Sequence, residues 1–283
     1  MVTLRNLALT MLAVAWIAPC IDQARGATPS ADSLFSQSIV ETLNREFSAP
    51  GVSFLLLDAH TGQLVASRWE HPEIPIPMGS LAKPFTALAY GEHHGYRFPT
   101  HTCHGTASGC WRPQGHGTLN LTSAITYSCN SYFRALAANL DREEVSATAS
   151  RFGLESPDDG TSGPALAGLG GDWRTSPEHM AMAYVGLLRH RDDPTIAQIL
   201  DGMAASARLG TAAEVDRALS FKYALAKTGT APCTHSSHAP GDGFTLAMFP
   251  ADAPRVVLLV RVHGVPGAEA AKTAGKMLRR IEN

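Results

Sequence analysis

The chain has 283 residues, of which 45% are hydrophobic and 17% charged, with a net charge of -2. That supports one sizeable core in a single domain or a domain of two lobes. A near-neutral balance without a basic patch or arm excludes nucleic acid as a partner, and Gly and Pro follow no repeat.

In chain order, Arg5 precedes an apolar run from Leu7 to Ala18, and small residues follow at Ala24-Arg25-Gly26. The run is shorter than the about 20 residues a membrane span requires. It reads as a secretory signal over residues 1–26, either cleaved or kept as an anchor, leaving a single domain over 27–283. Pro19 before Cys20 argues against lipidation there. Ser33 to Phe47 carries a helical apolar stripe. Val52–Asp58 and Gln63–Ser67 read as a hairpin around Ala59-His60-Thr61-Gly62. Pro72, Pro75 and Pro77 break regular structure before Ser80. A helix is predicted from Ser80 to about His93, with Pro84 tolerated in its first turn. Pro99–Gly117 reads as loop, then helices near Thr122–Tyr127, Ser131–Leu140 and Glu143–Phe152, and loop again over Gly153–Gly171. Helices follow from Pro177 through Leu188 and over Thr195–Ala207. Strands at Tyr223–Thr230, Phe244–Phe249 and Val256–Val262 precede a last helix over Ala268–Ile281. The fold class is α+β: an antiparallel sheet flanked by terminal helices, with an inserted helical lobe.

Three short motifs fall on this frame: Ser80-Leu81-Ala82-Lys83 at a helix start, Ser128-Cys129-Asn130 between helices, and Lys227-Thr228-Gly229-Thr230 on a strand. Each alone is weak, since serine at a helix start is ordinary and Ser or Asn commonly caps helices. Together they supply a nucleophile (Ser80), an amine base on the same helix face (Lys83), a hydroxyl relay (Ser128), an orienting amide (Asn130) and a cation with hydroxyls for a carboxylate (Lys227, Thr228, Thr230). Gly229 is expected to let substrate approach the strand backbone. The chemistry is acyl transfer through serine without a catalytic histidine, and no cofactor is called for.

Cysteines suit an exported chain. Cys103 and Cys110 share one Gly-rich loop and are the expected disulfide, worth roughly 2–3 kcal/mol for so short a loop. The alternative is a zinc site of Cys103, His104, Cys110 and His116, although that spacing fits no standard finger. Cys129 and Cys233 are left without an assigned pairing. His93 and His94 read as helix-end groups, Glu178 as a helix-dipole partner, Trp111 as loop packing, and His235 and His238 as solvated loop.

On the three motifs, the chain resembles the penicillin-recognising serine enzymes. The segments Cys103-His104-Gly105, Cys110-Trp111, Gly115-His116-Gly117 and Ser128-Cys129-Asn130-Ser131-Tyr132-Phe133 are similar to elongation-type class B penicillin-binding proteins. So are Gly168-Leu169-Gly170, Thr175-Ser176-Pro177 to Tyr184, and Phe249-Pro250-Ala251-Asp252-Ala253-Pro254. The resemblance implies that Ser80 is acylated by D-alanyl-D-alanine stem peptides of peptidoglycan or by β-lactams. Lys83 would be base, Ser128 relay, and the N–H groups of Ser80 and Thr230 the oxyanion hole. It further implies D,D-transpeptidase or D,D-carboxypeptidase activity outside the inner membrane, in the periplasm or at its extracellular face, with cell-wall synthesis proteins as partners. A class D-like β-lactamase and a non-catalytic β-lactam sensor are the alternatives. The chain lacks the Glu-x-x-Leu-Asn pattern that carries the deacylating glutamate of class A β-lactamases.

Overall fold

The computed structural model describes residues 31–234 and 241–282; side chains are described from residue 37 onward. The signal segment and His235 and His238 therefore lie outside the described residues, and the side chains of the stripe residues Leu34 and Phe35 outside the described side chains. The described elements run α1 (Ala31–Glu46), β1 (Val52–Asp58), β2 (Leu64–Arg68), β3 (Ile76–Pro77), a 3-10 turn (Gly79–Ala82), α2 (Lys83–His93), β4 (His101–Cys103) and β5 (Gly117–Leu119). They continue through α3 (Leu121–Thr126), α4 (Asn130–Ala137), α5 (Arg142–Arg151), β6 (Arg174–Thr175), α6 (Pro177–Arg189), α7 (Pro194–Leu209) and α8 (Ala213–Ala218). The chain closes with β7 (Leu225–Ala231), β8 (Asp242–Phe249), β9 (Val256–His263) and α9 (Gly267–Ile281).

The main sheet has the order β2-β1-β9-β8-β7, every pair antiparallel. First and last strands of the sequence thus meet at its centre, where β1 pairs with β9 from Val52↔Val262 to Asp58↔Val256. Both faces are buried, so side-chain alternation divides each strand between two apolar layers. Phe54, Leu56, Leu258 and Val260 pack with Leu43 of α1 and with Ala271, Ala274, Met277 and Leu278 of α9. Leu55, Leu57, Val257, Leu259 and Leu246 pack instead with Phe85 of α2, Phe133 of α4 and Tyr184 of α6. This is the expected α+β architecture with terminal helices on one face and a helical lobe on the other.

The differences are local. Expected loop at 99–117 contains the β4–β5 ladder, His101↔Leu119 to Cys103↔Gly117. Three backbone pairs suffice there because side-chain packing beneath the loop supplies what alternation in the sequence does not. Pro77 sits in a two-residue strand paired with Arg174, which a proline tolerates because the ladder is short and edge-like. The predicted Ser80 helix begins as a 3-10 turn and becomes α-helical at Lys83. The short α8 carries too few residues for a legible period. His93 pairs with Glu144 of α5 at 3.1 Å and so ties α2 to its neighbour, while His94 stacks back on Tyr90 of its own helix at 3.9 Å. Among the described residues no helix is long and apolar enough to cross a membrane.

Leu258 is fully buried at the centre of the sheet. Leu258→Ala should cost about 2–5 kcal/mol through lost burial and a residual cavity. Denaturant titration of the two chains measures that directly; a loss below 1 kcal/mol would mean this layer is not the packed core described.

Candidate active site

The three motifs converge on a cleft of about 800 Å³ lined by Ser80, Ser128, Asn130 and the Thr228–Thr230 stretch of β7, among others. Backbone contact fixes their spacing. Gly79 has φ +58°, and a Cβ there would lie 2.2 Å from the carbonyl oxygen of Thr230. A Cβ on Gly229 would lie 2.5 Å from the carbonyl of Met78. The nucleophile turn and β7 therefore abut backbone to backbone, which only glycine permits. The role expected for Gly229 is thereby enlarged: it lines the cleft, and the side its missing Cβ would fill is taken by the backbone before Ser80. From the other side, a Cβ on Gly168 would meet the Gly79 carbonyl at 2.2 Å. Tyr184 of α6 donates to the carbonyl of Leu81 at 2.9 Å and Thr86 donates to that of Leu166 at 2.8 Å. Ser80 itself is half-buried and opens on the cleft.

Lys83 lies one turn further along, fully buried. Its Nζ donates to the Ser128 carbonyl at 2.8 Å and to Asn130 Oδ1 at 2.7 Å, and lies 3.3 Å from Ser128 Oγ. The ring of Phe133 is 5.3 Å away. Burial lowers its pKa from 10.5 to about 7; the nearby Cys129 and Cys110 pull it up and Arg134 pushes it down. A base poised there is neutral for much of its time at physiological pH. Lys227 reaches in from β7, also fully buried, donating to Ser128 Oγ at 2.7 Å and to the Thr228 carbonyl at 2.8 Å. Burial first, and the Lys83 charge second, hold it well below the usual lysine range. One hydroxyl thus links two amines, as a proton relay requires.

Ser128 is held in an uncommon backbone. Its φ is +49°, a left-handed conformation that costs a non-glycine residue about 1–2 kcal/mol. Lys83 and the Trp111 indole, which donates to the Ser128 carbonyl at 3.3 Å, hold it in place. Trp111 is half-exposed and lines the cleft, so it does more than pack its loop. Thr228 Oγ1 donates to Thr211 Oγ1 at 2.7 Å, and Thr230 Oγ1 accepts from the Gly267 N–H at 2.9 Å. Thr211, Arg134 and Gly267 also line the cleft. Sequence reasoning missed these three, because none lies in a motif and each arrives from a different element.

The expected Cys103–Cys110 disulfide is absent: both thiols are free. Instead Cys103, Cys110, Cys129 and His116 bring their ligand atoms within 4.8 Å of one another. Cys110 Sγ is 3.8 Å from Cys129 Sγ, and His116 Nδ1 is 3.5 Å from Cys110 and 3.6 Å from Cys103. Four donors around one point hold the sulfurs apart, where a disulfide needs two in contact. The residues fit a closed tetrahedral metal site of zinc type. Burial raises the Cys103 thiol, yet N–H groups of Gly105 and His116 outweigh it and bring the pKa to about 7. Burial lowers that of His116, keeping the imidazole neutral. His104, assigned to this set from sequence, is exposed and replaced by Cys129. A metal here would brace the turn that carries Ser128 and Asn130 from behind.

The comparisons with known proteins accord with this geometry. Residues 52–282 match the family model of the penicillin binding protein transpeptidase domain. Among solved structures, the chain is similar to Pseudomonas aeruginosa PBP2 in complex with WCK 5153, with TM-score 0.71, 17% identity, and coverage of 88% of this chain and 74% of that one. It is similar to the apo transpeptidase domain of Burkholderia pseudomallei penicillin-binding protein 3, with TM-score 0.67, 17% identity and coverage of 88% and 92%. A Helicobacter pylori PBP2 solved in complex with MreC gives TM-score 0.69 and 17% identity, over 86% of this chain and 61% of that one. No curated protein matches the sequence.

Acylation at Ser80 should accelerate as pH rises through about 7, where Lys83 loses its proton, and then level off. The same lowered pKa makes folding stability rise with pH between about 7 and 10.5, because the unfolded chain holds the proton that the folded chain releases. Single-turnover labelling across pH checks the first, and a rate that falls through that window would rule out a neutral-amine base. For the thiol cluster, zinc should bind and raise Tm, and Cys110→Ser should reduce that zinc-dependent increment in a melt with and without chelator; an unchanged increment would exclude this cluster as its source.

Proposed function

The chain belongs to the penicillin-binding protein transpeptidase family, and we propose that it is an exported serine acyl-transferase acting on D-alanyl-D-alanine stem peptides of peptidoglycan and acylated by β-lactams. The observation that carries this reading is the buried Lys83–Ser128–Lys227 chain of hydrogen bonds beside Ser80.

The steps follow from position. Ser80 Oγ attacks the carbonyl carbon of the scissile amide, and its proton passes to the Lys83 amine. The N–H groups of Ser80 and Thr230, on the two backbones that Gly79 and Gly229 bring together, receive the oxyanion. A donor of that kind contributes about 3–4 kcal/mol to the transition state. Ser128 delivers the proton to the leaving nitrogen, so the terminal D-alanine departs as a neutral amine and the ester on Ser80 remains. Lys227, Thr228 and Thr230 hold the terminal carboxylate, and Asn130 orients the peptide amide. Water or a second amine then opens the ester, giving carboxypeptidase or transpeptidase outcomes respectively.

Two features support a long-lived acyl-enzyme over rapid drug hydrolysis. None of the described residues lining the cleft is acidic, so no carboxylate stands there to activate water. The Lys83 amine is engaged by two oxygen acceptors, Ser128 O and Asn130 Oδ1, a setting that suits an ammonium or amine and not a carboxylated lysine. The similarity to a PBP2 solved with MreC favours cell-wall synthesis proteins as partners, and the apolar run behind Arg5 favours export.

Incubation of the chain with a β-lactam, followed by intact mass, should give one persistent adduct that Ser80→Ala abolishes while leaving Tm within a degree or so. Retained labelling in Ser80→Ala would sink the assignment of the nucleophile. Fast drug turnover would replace this reading with a β-lactamase, and a stable adduct without stem-peptide turnover would leave a β-lactam sensor.

A further inference from the structure

A second convergence of ligand atoms lies at the end of the β7–β8 hairpin, apart from the acylation machinery. Cys233 follows β7 by two residues, Asp242 opens β8 and His263 closes β9. Asp242 and His263 face each other across the β8–β9 ladder, and their side chains pair through His263 Nδ1. Cys233 Sγ approaches the same nitrogen at 3.8 Å. The three donor atoms lie within 4.8 Å of one another.

The backbone builds this meeting. Gly241 has φ +103°, and a Cβ there would lie 2.1 Å from the Ala231 carbonyl. The two arms of the hairpin are therefore pressed together where Cys233 leaves β7. Asp242 is only 2% exposed, and a carboxylate so far from water needs standing positive charge. Arg261 supplies part of it. Its guanidinium is close enough to sense both Asp242 and Cys233, while it donates to Ser53 Oγ at 2.8 Å and lies 4.7 Å from the Trp69 ring centroid. Arg261 opposes a bound cation.

A bracing ion pair accounts for Asp242 and His263, and the Cys233 thiol approaches the same nitrogen. An imidazole nitrogen makes one directed hydrogen bond. A carboxylate and a thiol converging on one such nitrogen describe three ligands around a common centre. Tetrahedral zinc, with bonds of about 2.0–2.3 Å, sets its ligand atoms roughly 3.3–3.8 Å apart. The Cys233–His263 separation already meets that, and the Asp242–His263 pair has only to open around an ion that replaces the shared proton. Thiolate, imidazole and carboxylate together select zinc over magnesium or calcium. The two anionic donors balance the divalent charge.

We propose that Cys233, Asp242 and His263 are ligands of a zinc site near the rim of the cleft. Pro232, next to Cys233, lines the cleft, so the ion would pin the end of the strand that carries Lys227 to Thr230. Binding releases the thiol proton and forms a sulfur–zinc bond. The site is independent of the acyl-transfer reading, and its failure would leave that reading intact.

The test is zinc stoichiometry of the full chain by native mass spectrometry, after dialysis against micromolar zinc. Cys233→Ser and His263→Ala should each lose one equivalent relative to wild type, while Cys110→Ser keeps the equivalent that those two lose. With cobalt in place of zinc, Cys233→Ser should also remove part of the thiolate-to-metal absorption. A Cys233→Ser chain that still carries the metal of its thiol cluster is thereby shown to be folded. Equal stoichiometry in wild type, Cys233→Ser and His263→Ala, or no zinc on the wild type, would overturn the proposal.

Discussion

The site depends on a costly arrangement, two buried lysines with no carboxylate partner among the described residues. Lys83 and Lys227 are both inaccessible to solvent, and each reaches the Ser128 hydroxyl. Two full charges so close in a poorly solvated space repel strongly. The fold resolves this by holding both pKa values down, chiefly through burial. The resting site therefore carries fewer than two protons' worth of positive charge on these amines. On the proposed function, an arriving carboxylate would change the balance, because it stabilises the ammonium form of Lys227 and so favours a neutral Lys83. Substrate binding and base activation become linked through one hydroxyl.

Such an arrangement works only if its members cannot relax apart. Ser128 is held left-handed by hydrogen bonds to its carbonyl from Lys83 and Trp111. Behind it, Cys129 joins Cys103, Cys110 and His116 in a cluster that ties the turn to the β4–β5 loop. In front, the glycine contacts at Gly79, Gly168 and Gly229 leave no side chain between the nucleophile turn, the Gly168–Gly170 segment and β7. Local strain at the relay is thus carried by packing on both sides.

Much of this was legible in sequence, for identifiable reasons. Strands β1, β8 and β9 are short apolar runs bounded by Gly and Pro, and the three motifs are local words whose chemistry does not depend on seeing the fold. What the sequence did not reveal is what distant segments bring to one point. Thr211 reaches Thr228 from the α7–α8 connection, and Cys129 replaces His104 in the thiol cluster because the α3–α4 turn folds over the loop at 103–116. Gly229 reads alone as room for a ligand; only the position of Met78 shows that the side its missing Cβ would fill is already taken. Ser128's left-handed backbone had no signal either, since neither Gly nor Asn stands there.

This division bears on what decides the fate of the acyl group. The acylating half of the site is rigid: it lies on α2, the Ser128 turn and the middle of β7, all packed into the core. The accepting half is the outer cleft, where Trp111, Arg134 and Pro232 stand on loops or exposed faces. Chemistry common to serine acyl-transferases belongs to the first half. Selectivity among water, an amine and no acceptor belongs to the second, which holds no acidic group among the described residues. Among the described residues that cleft offers no carboxylate to activate water, and Lys227 and Arg134 suit the anionic acyl donor of the proposed function. On the proposed function, this slows hydrolysis of the acyl-enzyme relative to a site that holds a carboxylate base.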